Sequence, residues 1–181
     1  MLSPYSDPTY RITQERRTLA IIVDNEPGVL ARIAGMFSGR GYNIESLTVS
    51  ETEHEKHRSR ITVVTRGTPQ VIDQIKAQLD RLVPVHRVVD LTLSGANIER
   101  ELALVKVRQE GETRSEHRME ALRLATAFGA RPIDATLNSF IFEIAGSSDE
   151  VERFIGLMAH VGLVEVARTG AAAISRGPEA L

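Results

Sequence analysis

Thr18-Leu19-Ala20-Ile21-Ile22-Val23-Asp24-Asn25-Glu26-Pro27-Gly28-Val29-Leu30-Ala31-Arg32-Ile33 is the stretch that decides the fold. Its first six residues are a short apolar run, ended by a polar loop carrying Pro27 and Gly28, which reads as a buried strand feeding a turn. Then Val29, Leu30, Ile33, Met36 and Phe37 recur with the spacing of one helix face, and Gly39 and Gly41 punctuate the end. Working outward, Tyr42–Ser50 is a second strand with Leu47 and Val49 on one side. Glu51–Arg58 is a charged hairpin tip. Ser59–Thr65 is a third strand, with Ile61 and Val63 pointing one way and Thr62 and Val64 the other. Gly67-Thr68-Pro69 opens a helix with Pro just inside its start, whose inner face is Ile72, Ile75, Leu79 and Leu82. Val85–Leu93 closes the unit as a fourth strand. The order is β-α-β-β-α-β.

The order then repeats. Ser94-Gly95-Ala96-Asn97 interrupts the pattern and marks a boundary. Glu101–Val107 is a strand, and Arg114–Phe128 a helix with Met119, Leu122 and Ala125 expected inward. Arg131–Leu137 and Ser139–Ala145 are strands flanking Asn138. Ser147-x-x-Glu150 is a capping box for a helix carrying Val151, Phe154, Ile155 and Met158, and Val161–Arg168 completes the second unit. The fold class is α+β: two ferredoxin-like βαββαβ domains, 17–94 and 98–177, behind a polar N-terminal arm, 1–16, read as mobile. A unit of roughly 80 residues buries only about 60% of its unfolded surface, so each half is expected to pack on another half, within the chain or across a dimer.

Composition narrows the function. With 42% hydrophobic and 25% charged residues the chain reads as a water-soluble globular protein. A net charge of −2 gives no pull towards nucleic acid or an anionic membrane. There is no Cys, which removes disulfides and thiolate metal sites and fits a reducing cytoplasm. No apolar run reaches the roughly 20 residues of a membrane span. His54-x-x-His57 among Glu51, Glu53 and Glu55 has the residue types of a metal clamp, but a charged hairpin tip suits a solvated turn better. Gly39-Arg40-Gly41 lacks the Lys-Ser/Thr of a phosphate loop. No nucleophile–base pairing stands out, so no catalytic residue and no metal ligand is assigned. The arginines Arg108, Arg114, Arg118, Arg123 and Arg131, among neighbouring Glu residues, read as a solvated helix face, with a subunit contact as the alternative.

The first loop has the chemistry of a small zwitterion's seat. It leads into a helix N-terminus, where unpaired amides and the helix dipole favour a carboxylate. Asn25 offers an oxygen to an ammonium, Gly28 removes a Cβ from the approach, and Val29 and Leu30 add apolar wall. The same residues also make a plain capped helix start with Gly in its turn, which on physical grounds alone is the simpler reading.

The run Asn25-Glu26-Pro27-Gly28-Val29-Leu30-Ala31-Arg32-Ile33 resembles the first loop and helix of ACT domains, which bind regulatory amino acids. Phe37-Ser38-Gly39-Arg40-Gly41-Tyr42-Asn43-Ile44-Glu45-Ser46-Leu47-Thr48-Val49, then Leu79–Val89, Arg100–Val107 and the tail from Arg168-Thr169-Gly170 through Ser175-Arg176-Gly177 resemble the acetolactate synthase small-subunit family. The resemblance runs from about Arg17 to Gly177. It implies a regulatory subunit without catalysis of its own, which binds and activates the large catalytic subunit and confers feedback inhibition by valine in branched-chain amino-acid biosynthesis. Thiamine diphosphate, Mg²⁺ and FAD are then expected on the catalytic subunit and no cofactor on this one. It also implies a homodimer through the ACT domains, with the effector between chains: Asn25, Gly28, Val29 and Leu30 from one, Asn43 and Ile44 from its partner. Pro27 and Ala31 sit where the family varies and carry no assigned role. The alternative is a free-standing ACT-type amino-acid sensor acting on another enzyme. A DNA reader is disfavoured because there is no helix-turn-helix module and no basic stripe, and a small-molecule enzyme on this fold has no catalytic constellation behind it.

Overall fold

The computed structural model describes residues 13–53, 57–93, 95, 97–111 and 114–181, so His54 and most of the expected arm lie outside the described residues. The first unit consists of β1 (Glu15–Asp24), α1 (Val29–Gly39), β2 (Ile44–Glu53), β3 (Arg58–Gly67), α2 (Pro69–Leu79) and β4 (Val85–Asp90). Its sheet runs β2-β3-β1-β4 with every pairing antiparallel. The second unit has β5 (Asn97–Arg108), α3 (Arg114–Ala127), β6 (Arg131–Ala135), β7 (Ser139–Gly146), α4 (Ser148–Met158) and β8 (Leu163–Arg168), with sheet order β6-β7-β5-β8. Both are βαββαβ, as the sequence pattern predicts. β1 starts earlier than expected: Glu15 and Arg16, the last residues of the expected arm, already pair with Gly67 and Arg66.

The inward faces follow the periodicities. Leu19, Ile21 and Val23 of β1 and Ile61 and Val63 of β3 meet Val29, Ile33, Met36 and Phe37 of α1 and Ile72, Ile75 and Leu79 of α2 in one core. Thr68 caps α2 by accepting from the Val71 amide at 3.3 Å, with Pro69 at the first helical position where its missing N–H costs nothing. Val105, Phe142, Phe154 and Met158 centre the second core. The Ser147–Glu150 capping box forms reciprocally, as expected.

One helix is turned from its expected phase. Met119 is 64% exposed, and α3 presents Ala121 and Ala125 to the sheet, with Leu122, Leu124 and Phe128 partly buried beside them. Small residues at i and i+4 let the helix pack closely into the second core, where it neighbours α4 and the turn at Ala159–Val161 as well as β6. The arginine set does not form one helix face: Arg108 and Arg131 lie on β5 and β6 and, like Arg123, are exposed, whereas Arg114 and Arg118 are partly buried. Arg118 stacks over the Phe140 ring at 4.0 Å and donates to the Thr136 carbonyl at 2.9 Å, while Arg114 donates to the Leu137 carbonyl at 2.8 Å.

The structure adds an element that the periodicity did not show. Val161 lies in a short 3₁₀ turn, Ala159–Val161, ahead of β8. After β8 the chain kinks at Gly170 (φ 80°) and continues as β9 (Ala172–Ser175) along the first part of β5, Asn97–Arg100. The β5/β8–β9 pair is a two-stranded ribbon belonging to both halves. Ala173, with Leu181 beside it, packs on Ala20, Val89 and Leu91. Thr18, Thr62 and Val64, on the sheet face away from α1 and α2, are also buried. That face is therefore covered in part by residues from the second half of the same chain, one of the two arrangements the sequence left open.

Candidate functional site

The loop after β1 is pinned at its base. The Asp24 amide donates to the Pro84 carbonyl at 2.9 Å and the Asn25 amide to the His57 carbonyl at 2.7 Å. Asp24 Oδ1 and His86 Nε2 are 2.5 Å apart, tying the end of β1 to β4. Gly28 is the N-cap of α1, at φ 89° and ψ −7°, and no side chain caps the helix. Nothing lies within 4 Å of where a Cβ on Gly28 would stand, so the glycine answers first to its left-handed backbone and not to crowding. The expected capped start is thus one without a side-chain cap; the Val29 amide donates to the Glu26 carbonyl at 3.4 Å, and the Leu30 and Ala31 amides follow it beside the exposed Asn25, Gly28 and Leu30. Leu30 is 43% exposed, although the helical spacing predicts it on the core face. Val29 does the reverse. Its side chain is in the core and its amide donates to the Glu26 carbonyl at 3.4 Å, so it gives an incoming ligand no apolar wall.

Asn43 is exposed and Ile44 partly buried against the core. The Thr65 hydroxyl donates to the Asn43 carbonyl at 2.6 Å, fixing the backbone where β2 begins. The sheet register separates these two residues from the first loop. Ile44 and Arg17 both pair with Thr65, whereas Asp24 and Glu53 both pair with Arg58. Seven strand positions, about 23 Å at roughly 3.3 Å per residue, part the two groups within one chain. One chain does not bring the six expected residues together. β2 is an edge strand, unpaired on its outer side within the chain.

Residues 19–87 match the AHAS small subunit-like ACT domain, and residues 100–177 match the small subunit of acetolactate synthase. Over 162 residues the chain is 44% identical to the probable acetolactate synthase small subunit of Archaeoglobus fulgidus, spanning 90% of this chain and 98% of that one. This chain belongs to the acetolactate synthase small-subunit family. It is also 42% identical to the isozyme 3 small subunit of Salmonella typhimurium over 90% of this chain and 96% of that one. The crystal structure of the Thermotoga maritima small subunit superposes with a TM-score of 0.78 at 35% identity, covering 91% of this chain and 99% of that one. A regulatory role in branched-chain amino-acid synthesis and a catalytic large-subunit partner follow from membership of this family.

Sequence reasoning missed a second polar centre, between the two halves. A cleft of ≈ 500 Å³ there is lined by Arg16, Glu45, Arg66, Glu101, Ser148 and Arg168 among others. Glu99 on β5 receives Arg16 Nη2 at 2.6 Å and Nη1 at 3.2 Å, the Thr18 hydroxyl at 2.8 Å and the Ser148 hydroxyl at 2.9 Å. Burial opposes its ionisation, but the hydrogen bonds from Arg16, Thr18 and Ser148 outweigh that and hold its carboxyl below the usual range. Arg168 binds Glu101 through Nε at 2.6 Å and Nη2 at 3.0 Å, and Glu152 at 2.7 Å; the Glu101 hydrogen bonds raise its pKa further. The signal was the alternation of Glu99 and Glu101 on one strand, obscured because the apolar pattern starts that strand only at Glu101. Among the described residues, no group of three or more His, Asp or Glu side chains is placed to hold a metal ion, and no helix is long and apolar enough to cross a membrane.

Proposed function

We propose that this chain binds and activates the thiamine-diphosphate-dependent catalytic subunit of acetolactate synthase and confers feedback inhibition by valine. It acts without catalysis of its own, as a cytoplasmic homodimer paired through its ACT units. Residues 17–94 serve as the effector-binding ACT domain and 98–177 as the C-terminal domain, while thiamine diphosphate, Mg²⁺ and FAD belong to the catalytic subunit.

The observation that carries the effector site is the sheet register. The uncapped helix start at Gly28 and the exposed Asn43 stand at opposite ends of the same sheet, and β2 offers a free edge. Two copies pairing β2 to β2 antiparallel about a two-fold axis would bring the Asn43 end of one chain to the Gly28 end of the other. The first-turn amides of α1 would then hold the effector's carboxylate, Leu30 would flank its aliphatic side chain, and Asn25 with the partner-borne Asn43 and Ile44 would complete the seat. Val29 stands at the base of the seat, with its side chain in the core and its amide on the Glu26 carbonyl.

Calorimetry with valine, alongside sedimentation of the same sample, tests this. Saturable binding by a dimer is expected at micromolar protein. A monomer that binds valine equally well would refute the shared site. Acetolactate formation by the reconstituted complex should rise over the catalytic subunit alone and fall with millimolar valine.

A further inference from the structure

The start of β2, where the partner-facing half of the proposed effector seat lies, is tied to the C-terminal half of its own chain by a continuous set of polar contacts. Glu45 directly follows Ile44. Its carboxylate is ion-paired with Arg66 and stands 3.8 Å from Arg16 Nε. Arg16 grips Glu99 with two nitrogens, and Glu99 holds the Ser148 hydroxyl in the first turn of α4. Arg16 Nη2 also reaches Ser148 Oγ at 3.3 Å. A second tie runs parallel. Ser46 accepts from the Ala171 amide at 2.9 Å and Thr48 donates to the Ala171 carbonyl at 2.8 Å, so β2 also grips the kink between β8 and β9.

Glu99 is where three elements meet: β1 through Arg16 and Thr18, β5 through its own backbone, and α4 through Ser148. Its side chain is only 14% exposed. A carboxylate held by four donors in little water fixes relative positions more tightly than exposed ion pairs do. Displacement of residues 43–45 would pull on Arg16 and hence on α4.

We propose that Glu99 is the positioning residue that couples the effector-facing end of β2 to the C-terminal domain through Arg16 and Ser148. The inference rests on the effector site proposed above. A change at the ACT dimer interface reaches the rest of the molecule through this joint, and removing the charge at Glu99 leaves effector binding in place while disconnecting its consequence.

The test uses the full chain reconstituted with its catalytic subunit, comparing wild type, E99Q, E99D and S148A. For E99Q, the valine dissociation constant should stay within about threefold of wild type and activation without valine should persist, while the fraction of activity removed by saturating valine falls by at least half. E99D, which keeps the charge, should recover part of that inhibition, and S148A should show the same split more weakly. E99Q inhibited as fully as wild type would overturn the proposal, as would E99Q that loses valine affinity in parallel with inhibition. Should E99Q fail to fold as a dimer, S148A decides, and full inhibition in S148A overturns the coupling. Wild type that neither binds valine nor responds to it would sink the effector reading and this inference together. Where wild type responds normally, a failure in the variants counts against the role of Glu99 alone.

Discussion

Gly28→Asp tests the effector loop most sharply, because its two effects have different sizes and different readouts. Gly28 has φ 89°, a conformation that costs an L-residue roughly 1–2 kcal/mol, less for Asp, which tolerates it better than most. No atom lies within 4 Å of the new Cβ, so no clash adds to that. A carboxylate at a helix start returns about 0.3–1 kcal/mol through the dipole. The net loss of stability is therefore about 1 kcal/mol or less, a fall of roughly 2–4 °C in Tm for a chain of this size. Binding should suffer far more. The new carboxylate occupies the amides proposed for the effector's own, and losing one charge-assisted hydrogen bond costs about 1.5–3 kcal/mol, or one to two decades in affinity. Gly28→Ala is the control, since it carries the backbone strain without the charge. Lacking both the tolerance of Asp for this backbone and the dipole term, it should be destabilised more, by roughly 1–2 kcal/mol, yet keep more affinity than the aspartate variant. The assay is acetolactate formation by the reconstituted complex over a valine titration, with calorimetry on the free subunit. The aspartate complex should be activated normally and resist millimolar valine. Wild-type inhibition in Gly28→Asp would remove the loop from the site. Loss of activation with the fold intact would place the loop at the catalytic-subunit interface instead.

Asn43→Ala should weaken valine binding by one to two decades in calorimetry without lowering Tm by more than a degree or two, because the side chain is exposed and the Thr65 contact is to its backbone. Gly170→Ala should cost about 2–3 kcal/mol in denaturant unfolding. It combines a φ of 80° with a Cβ placed 2.5 Å from Ser46 Oγ, which must give up the Ala171 amide to move away. Acid should loosen the joint at Glu99. Its folded pKa is depressed, so its stabilisation is complete above the ordinary glutamate value of about 4.3 and is lost as pH falls through the folded one. Protection of the β5 amides 97–100, taken relative to their intrinsic exchange at each pH, should therefore fall more steeply with acid in wild type than in E99Q, and equal slopes would remove Glu99 from that response.

Strand and helix order was legible because Thr18–Val23, Ser59–Thr65 and the Ile72–Ile75–Leu79 stripe each obey a single period. The capping box at Ser147–Glu150 was legible because two short side chains three residues apart satisfy each other whatever lies beyond. What escaped was set by contacts distant in sequence. β9 has only four residues, and its one strong instruction is the exposed edge of β5 on which it lies. The phase of α3 depends on its packing against neighbours far along the chain, α4 and the turn at Ala159–Val161 among them, which put Ala121 and Ala125 in the core in place of Met119. At the candidate site, Asn25, Gly28, Leu30 and Asn43 fall on the exposed surface that the reading requires, whereas Val29 does not, because a helix's first apolar residue can point either into the core or across the loop. The left-handed backbone at Gly28 was not readable, since the residue alone is compatible with several turns.

The ribbon of β5 and β8–β9 has a consequence for how the molecule is made. Ala20 of the first strand is buried beside Ala173 and Leu181, more than 150 positions later in the chain. At roughly 5–20 residues per second a ribosome needs about ten seconds or more to travel that distance. During that interval the first sheet has its helices on one side and only water, or a chaperone, on the other. Thr18, Thr62 and Val64 wait in the open, and the first half is finished only when residues 172–181 emerge. A nascent chain stalled before residue 170 should thus carry a folded but sticky first half, bound by hydrophobic-surface chaperones until residues 172–181 displace them.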